Sequence, residues 1–181
     1  MPLLPFVKSG LVADGPIIVD SKSGVSGAGK KVSDVTHYCA VNENMSPYKV
    51  GRVHRHVGEI EKELRLFGGD NKIVFTPHLT PLTRGMLSTI YLPLAKEQSK
   101  EELFELLEAT YADEPFVRVL RDRVPDMKLA QNSNFCFISL EKPDDVNHVI
   151  LMSAIDNVGK GASTQAVQNM NCMLGLDETR G

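Results

Sequence analysis

The sequence predicts an α+β domain, a mostly antiparallel mixed sheet with helices covering one face. Three observations carry this. Short β-branched and aromatic runs outnumber amphipathic stretches. The two kinds of segment do not alternate in the regular strand–helix order of a parallel fold. The fingerprint G-x-G-x-x-G between a strand and a helix is absent. With 181 residues and 42% hydrophobic content, residues 1–181 suffice for one domain with a substantial core.

In chain order, Pro2-Leu-Leu-Pro-Phe-Val-Lys-Ser-Gly10 has the apolar spacing and glycine stop of a helix's last turns, with no cap residue to begin it. Pro16-Ile-Ile-Val-Asp20 reads as a buried strand. It delivers the chain into Ser21-Lys-Ser-Gly-Val-Ser-Gly-Ala-Gly-Lys-Lys31, whose glycines, serines and lysines suit an anion or a plain flexible turn. Gly24 to Lys30 spells G-x-x-x-x-G-K, but Lys31 stands where a phosphate-binding loop needs Ser or Thr. The following Val32–Val41 alternates like a strand, whereas such a loop must open a helix. A nucleotide triphosphatase is therefore disfavoured.

Glu59, Ile60, Glu63, Leu64 and Leu66 suit an amphipathic helix ending at Gly68-Gly69. Lys72–Pro77 and Met86–Leu94 read as strands, the second ending near Pro93. Ser99-Lys-Glu-Glu102 is a capping box, followed at helical spacing by Leu103, Phe104, Leu106, Leu107 and Tyr111. Pro115–Leu120, Asn134–Leu140 and His148–Ile155 read as further strands, the last two an antiparallel pair across the turn at 141–145. Asp156–Gly175 is a glycine-loosened start leading into a helix.

The densest chemistry lies in Tyr48-Lys-Val-Gly-Arg-Val-His-Arg-His56, which leads straight into the first long helix. Read as an extended run, Val53 to His56 places the imidazoles of His54 and His56 on one face, a setting for a proton donor beside an anion clamp. A solvated basic rim is the competing reading of the same residues. Zinc is disfavoured because no Cys or carboxylate follows His54-x-His56 at ligand spacing.

A net charge of −3 argues against nonspecific nucleic-acid binding. No apolar run reaches the eighteen or so residues of a membrane span, and no signal peptide begins the chain. Cys39, Cys136 and Cys172, widely spaced and odd in number, read as reduced, buried thiols. Together these point to a cytoplasmic protein.

Four stretches in order resemble N-acetyl-γ-glutamyl-phosphate reductase: Asp20–Gly29, Gly51–His56 with Glu59-Ile60, Phe75–Leu79 with Arg84-Gly85, and Lys160–Asn171. The likeness runs the length of the chain. It implies the catalytic and dimerisation domain of an enzyme similar to aspartate-semialdehyde and glyceraldehyde-3-phosphate dehydrogenases, with a fold like the C-terminal domain of the latter. In that family an acyl phosphate is reduced by NADPH to N-acetylglutamate semialdehyde, in arginine biosynthesis, through attack by a cysteine thiolate.

By the same resemblance His56 is the general acid/base, and Tyr48, Arg52, His54 and Arg55 hold the substrate, N-acetyl-glutamyl phosphate. Ser23, Gly24, Asn157, Lys160 and Gly161 match stretches that approach the NADP cofactor. A homodimer or higher homo-oligomer is implied. The family's nucleophile lies in a Gly-Cys-Tyr segment before the helix in which this chain begins. The resemblance therefore places that thiol, and the N-terminal Rossmann domain, outside residues 1–181, so the isolated chain is expected to be inactive. Thr164 departs from the family's usual glycine. The alternative is a non-catalytic dimerising or anion-binding module that keeps the fold.

Overall fold

The β-branched run Ile17-Ile18-Val19 opens the strand on which the sheet is built. In a computed structural model describing Met1–Gly181, β1 (Ile17–Gly24) pairs parallel with β3 (Ile73–Thr80) on one side and antiparallel with β4 (Met86–Pro93) on the other. The sheet continues through β7 (His148–Ile155) and β6 (Cys136–Glu141) to β5 (Val117–Val119), while the two-residue β2 (Ser46–Pro47) closes the far edge. Four of its six pairings are antiparallel and two parallel.

Six helices accompany the sheet: α1 (Leu4–Lys8), α2 (Tyr38–Val41), α3 (Arg55–Leu66), α4 (Lys100–Tyr111), α5 (Met127–Ala130) and α6 (Thr164–Met173). The capping box of α4 forms as the sequence predicts, Ser99 accepting from the Glu102 N–H while the Glu102 carboxylate accepts from the Ser99 N–H. Its buried Leu103, Phe104 and Leu107 join Phe6 of α1, Val57 and Leu64 of α3, and the inward residues Ile17, Ile73, Leu92 and Leu151 in one core. Val57 and Leu64 two turns apart on α3, and Leu103 and Phe104 with Leu107 one turn on along α4, give each of these helices a single apolar stripe toward the sheet.

The opposite face of the sheet is largely open. Only its end near β6 is covered, where Ala130 of α5 packs on Phe137 and Ala154. Elsewhere Val74, Ile18, Tyr91 and Ile150 form one register row across four strands, the first three being 40%, 43% and 41% exposed.

Three expectations are corrected. Val32–Val41 is no strand: it forms turns and the short α2, with Val32, Val35 and Tyr38 exposed. The Ser33 and Thr36 hydroxyls, 2.8 Å apart, and the Thr36 N–H to Ser33 carbonyl bond close a local turn in place of a ladder. Cys39 and Cys172 are exposed, and only Cys136 is a core thiol. His54 and His56 do not lie in an extended run, because α3 begins at Arg55 and His54 is its N-cap.

Gly24, the last residue of β1, carries a test of how tightly these loops meet. A Cβ there would lie 2.9 Å from the Arg84 nitrogen, the Leu82 oxygen and the Thr83 carbonyl carbon, all backbone. Gly24→Ala should therefore destabilise the fold by roughly 1–3 kcal/mol. Gly58→Ala, on the open side of α3 with nothing within 4 Å, should instead stabilise by up to about 1 kcal/mol. Urea unfolding of both variants checks the pair, and equal shifts would contradict the packing described.

Candidate functional site

The register of the sheet brings three connections to one end. Ser23 of β1 stands opposite Leu79 of β3 and Met86 of β4, and Met86 stands opposite Ile155 of β7. The loop that follows β1, the β3–β4 connection and the turn after β7 therefore meet beside a cleft of about 760 Å³, which the first and last of them line.

One wall of the cleft is small and polar: Ser23 and Gly24 from the end of β1, Ser26 and Gly27 from the loop after it, and Asn157, Gly161 and Ala162 from the turn after β7. A Cβ on Gly27 would meet Ser23 Oγ at 3.0 Å and Asn157 Nδ2 at 3.4 Å, so this wall has no room for larger side chains without a shift. The other wall carries Tyr48, Lys49, His54, Arg55, His56 and Phe75.

The geometry of the second wall follows from how α3 starts. Lys49, Gly51 and Arg52 take left-handed backbone conformations (φ 47°, 82° and 69°), turning the chain sharply before the helix. The His56 N–H then donates to His54 Nδ1 at 3.2 Å, so an imidazole serves as the N-cap of a twelve-residue helix. The ring of His54 lies edge-on to His56 (centroids 4.5 Å), Phe75 (5.2 Å) and Tyr48 (5.6 Å). His54 is buried, and burial lowers its pKa, helped by the neighbouring His56, Lys49 and Arg55. A neutral ring accepting at Nδ1 carries its proton on Nε2. His56, half exposed at the open side, has its Nε2 3.8 Å from Glu59 Oε2. Burial holds the Tyr48 phenol above its usual range, so it remains an O–H donor.

Eight of the ten residues singled out in the sequence therefore line one cleft: Ser23, Gly24, Tyr48, His54, Arg55, His56, Asn157 and Gly161. The other two are turned elsewhere. Arg52 reaches back to the Glu61 carboxylate at 2.8 Å and the Ile73 carbonyl at 2.7 Å, and the same carboxylate accepts from the Ile73 N–H at 3.0 Å. The Arg52 bond and the Ile73 N–H hold Glu61 ionised and below its ordinary pKa, so Arg52 fixes α3 to the start of β3. Lys160 is buried, donating to Gln168 Oε1 at 2.6 Å and lying 5.0 Å from the centre of the Phe116 ring. Burial lowers its pKa.

Sequence reasoning missed Lys49, Ser26 and Gly27, which line the cleft, although their loops had been singled out. No cysteine lines it. Cys136 is buried in the core, where burial raises its pKa, away from thiolate character. No group of three or more metal-ligating side chains is present. No helix is long and apolar enough to cross a membrane.

Residues 1–157 match the family model described as semialdehyde dehydrogenase, dimerisation domain. The chain is 46% identical over 181 residues to N-acetyl-gamma-glutamyl-phosphate reductase of Methanocaldococcus jannaschii, covering 100% of this chain and 52% of that protein. It is 51% identical to the protein of the same name from Geobacter metallireducens, covering 99% of this chain and 52% of the relative. The chain thus spans about half the length of the curated relatives it matches. In fold it is similar to an aspartate semialdehyde dehydrogenase II from Vibrio cholerae solved as a complex with ASA, with a TM-score of 0.75 and 17% identity over 96% of this chain and 58% of that one.

The cap supplies a prediction that needs no ligand. His54→Ala should cost about 1 kcal/mol of stability, and His54→Asn, whose carboxamide oxygen can take the same N–H, should recover most of it. A folded pKa below the ordinary 6.5 means that the unfolded chain binds the proton more readily. The His54 contribution is then complete above pH 6.5 and lost as the pH falls through the folded value. Urea unfolding at pH 7.5 and 5.5 checks this, and a His54→Ala difference that grows on acidification would contradict the neutral cap.

Proposed function

Because the chain belongs to the semialdehyde dehydrogenase dimerisation-domain family, we propose that it is the C-terminal catalytic and dimerising part of an N-acetyl-γ-glutamyl-phosphate reductase. The observation that carries this reading is the pairing of two unlike walls across one cleft, imidazoles and cations facing small polar residues. A pure scaffold has no use for a neutral histidine capping the helix that presents a second, exposed one.

In this reading the acidic substrate lies along the second wall. Arg55 and Lys49 supply positive charge for its carboxylate or phosphate, aided by the positive end of α3. The Tyr48 phenol donates to the same group. His56, exposed at the first turn of α3, gives a proton to the carbonyl oxygen of the reacting carbon as charge develops there. It takes the proton back when the aldehyde is released. His54 holds that ring in place through the cap and the edge contact.

The small wall fits the flat ring of a nicotinamide, since Gly27 and Gly161 leave backbone exposed and Asn157 offers a carboxamide. It does not fit a dinucleotide's phosphates, because it carries no cation and Lys160 is turned into the protein. NADP would thus be gripped chiefly by a Rossmann domain outside residues 1–181, and its contribution is a hydride delivered to the reacting carbon. The thiol that forms the acyl intermediate must also come from outside these residues, since none of the three cysteines lines the cleft.

The open face of the sheet is the surface proposed for a second copy of the chain. Its apolar row Val74, Ile18, Tyr91 and Ile150 stands beside Asp20, whose Oδ2 lies 2.8 Å from Lys22 Nζ and whose Oδ1 lies 3.1 Å from His78 Nδ1 without hydrogen-bond geometry. Exposed β-branched and aromatic residues in one flat row are the composition of an interface.

Three outcomes are expected. Phosphate-dependent reduction of NADP by N-acetylglutamate semialdehyde should occur when this chain is mixed with a separately produced dinucleotide-binding domain bearing the thiol, and not with the chain alone. In the mixture, His56→Ala should lower kcat by about 10²–10⁴-fold; an unchanged kcat would remove His56 from the proton transfer. Tyr91→Arg should convert the dimer to monomer in sedimentation without loss of helical signal, and a dimer that persists would move the interface elsewhere.

A further inference from the structure

At the base of the small wall lies a charge that the proposed chemistry does not use. Asp156, the first residue after β7, is fully buried. Its Oδ1 accepts from the N–H groups of Val158 and Gly159, each at 2.9 Å, and its Oδ2 accepts from the Asn132 N–H at 2.7 Å. Arg84, on the connection between β3 and β4, is its counter-cation, with Nη2 at 2.8 Å from Oδ2 and Nε at 3.3 Å from Oδ1. The remaining nitrogen of that guanidinium donates to Asn132 Oδ1 at 2.9 Å.

All three Arg84 nitrogens have protein partners, two on the buried Asp156 carboxylate and one on Asn132 at the surface. Burial by itself would raise the Asp156 pKa, but the three N–H donors and Arg84 together hold it below the ordinary value, and the carboxylate is ionised at neutral pH. Removing its charge leaves buried donors without a partner, the costly case for a buried polar network.

The same network reaches the surface of the cleft through the next residue. Asn157 Oδ1 accepts from the Gly85 N–H at 2.7 Å, and Asn157 Nδ2 donates to Ser26 Oγ at 2.9 Å, which in turn donates to the Thr83 carbonyl at 2.6 Å. The Gly161 N–H donates to the Asp156 carbonyl at 2.8 Å, folding Gly159–Ser163 into one π-helical turn. One carboxylate thus governs where the loop after β1, the connection into β4 and the turn after β7 meet.

We propose that Asp156, with Arg84 as its counter-ion, is a positioning residue for the small wall, setting the Asn157 carboxamide and the Gly161 turn against the cofactor, and that it leaves the imidazole wall untouched. The imidazole wall has its own anchors, the His54 cap and the Arg52–Glu61 pair, and shares no hydrogen bond with Asp156. The claim about the cofactor rests on the reductase reading given above, while the claim about the wall does not.

Two measurements separate them. In the chain alone, Asp156→Asn should speed amide hydrogen exchange at Val158, Gly159 and Gly85, leaving the amides of the β4–β7 ladder as protected as before. Unchanged exchange at the three, or a uniform rise everywhere, would overturn the positioning role. In the mixture with the dinucleotide-binding domain, Asp156→Asn and Asn157→Ala should each raise KM for NADP about tenfold, the scale of one lost polar contact. The double variant should be no worse than either single change, and KM for the semialdehyde should stay within about twofold. Additive losses, or equal losses for both substrates, would overturn it. Should Asp156→Asn fail to fold, Arg84→Lys, a milder change in the same contact, is read by the same exchange pattern and the same split. A wild-type mixture without activity would count against the reductase reading, and the exchange pattern would still decide the role of Asp156.

Discussion

The site depends on one row of the sheet. Leu79, Ser23, Met86 and Ile155 stand side by side across β3, β1, β4 and β7, the middle two strands being antiparallel. Because β1, β3 and β7 all end at or next to this row and β4 begins there, the loops of the small wall start from it, while the imidazole wall follows β2, whose Ser46 pairs with Leu79 of the same row. A one-residue slip of β4 would turn each of its side chains to the opposite face. It would also carry Arg84 and Gly85 out of reach of Asp156 and Asn157. The row is held by core packing on one side, through Ile17, Ile73, Leu92 and Leu151, and the site inherits its geometry from that packing.

Two buried carboxylates fix what the row alone leaves loose, and they divide the work. Glu61 joins α3 to the start of β3 through Arg52, and so orients the helix whose first turn carries His56. Asp156 joins the turn after β7 to the connections around it through Arg84. Each carboxylate accepts backbone N–H as well as its guanidinium, one N–H at Glu61 and three at Asp156, which is what makes a buried carboxylate tolerable. The cations that remain free, Arg55 and Lys49, stand on the wall assigned to the acidic substrate. Charge is thus sorted by position: paired where it supports, unpaired where it can meet a ligand.

The elements with strong local signals were legible in the sequence. The capping box of α4 formed as read, the run His148–Ile155 is β7 to the residue, and β6 and β7 pair antiparallel. Val32–Val41 was misread because its alternation is matched by Ser33 and Thr36 hydroxyls that satisfy a local turn. His54 and His56 were expected together on an extended face. They are together, but through a cap and a helical first turn, since nothing in Val53-His54-Arg55 marks His54 as the N-cap residue. Arg52 and Lys160 look like ligand-binding cations in any local window. Their partners, Glu61 in the next turns of α3 and Gln168 in α6, become visible only in three dimensions. Asp156 gave no signal because, beyond its local N–H donors at 158–159, its partners come from positions 84 and 132, segments that only the folded sheet brings to it.

The central claim is that the two walls enclose one ligand-binding cleft, with the acidic group held on the imidazole side. The most direct measurement is a nuclear magnetic resonance titration of this chain with N-acetylglutamate, following the ring signals of His54 and His56 and the side-chain amide of Asn157. The account predicts that the two imidazoles and the Arg55 region shift along a single binding curve, with a smaller response at Asn157. Shifts confined to other surfaces, or histidine signals that stay fixed as the ligand saturates elsewhere, would contradict it.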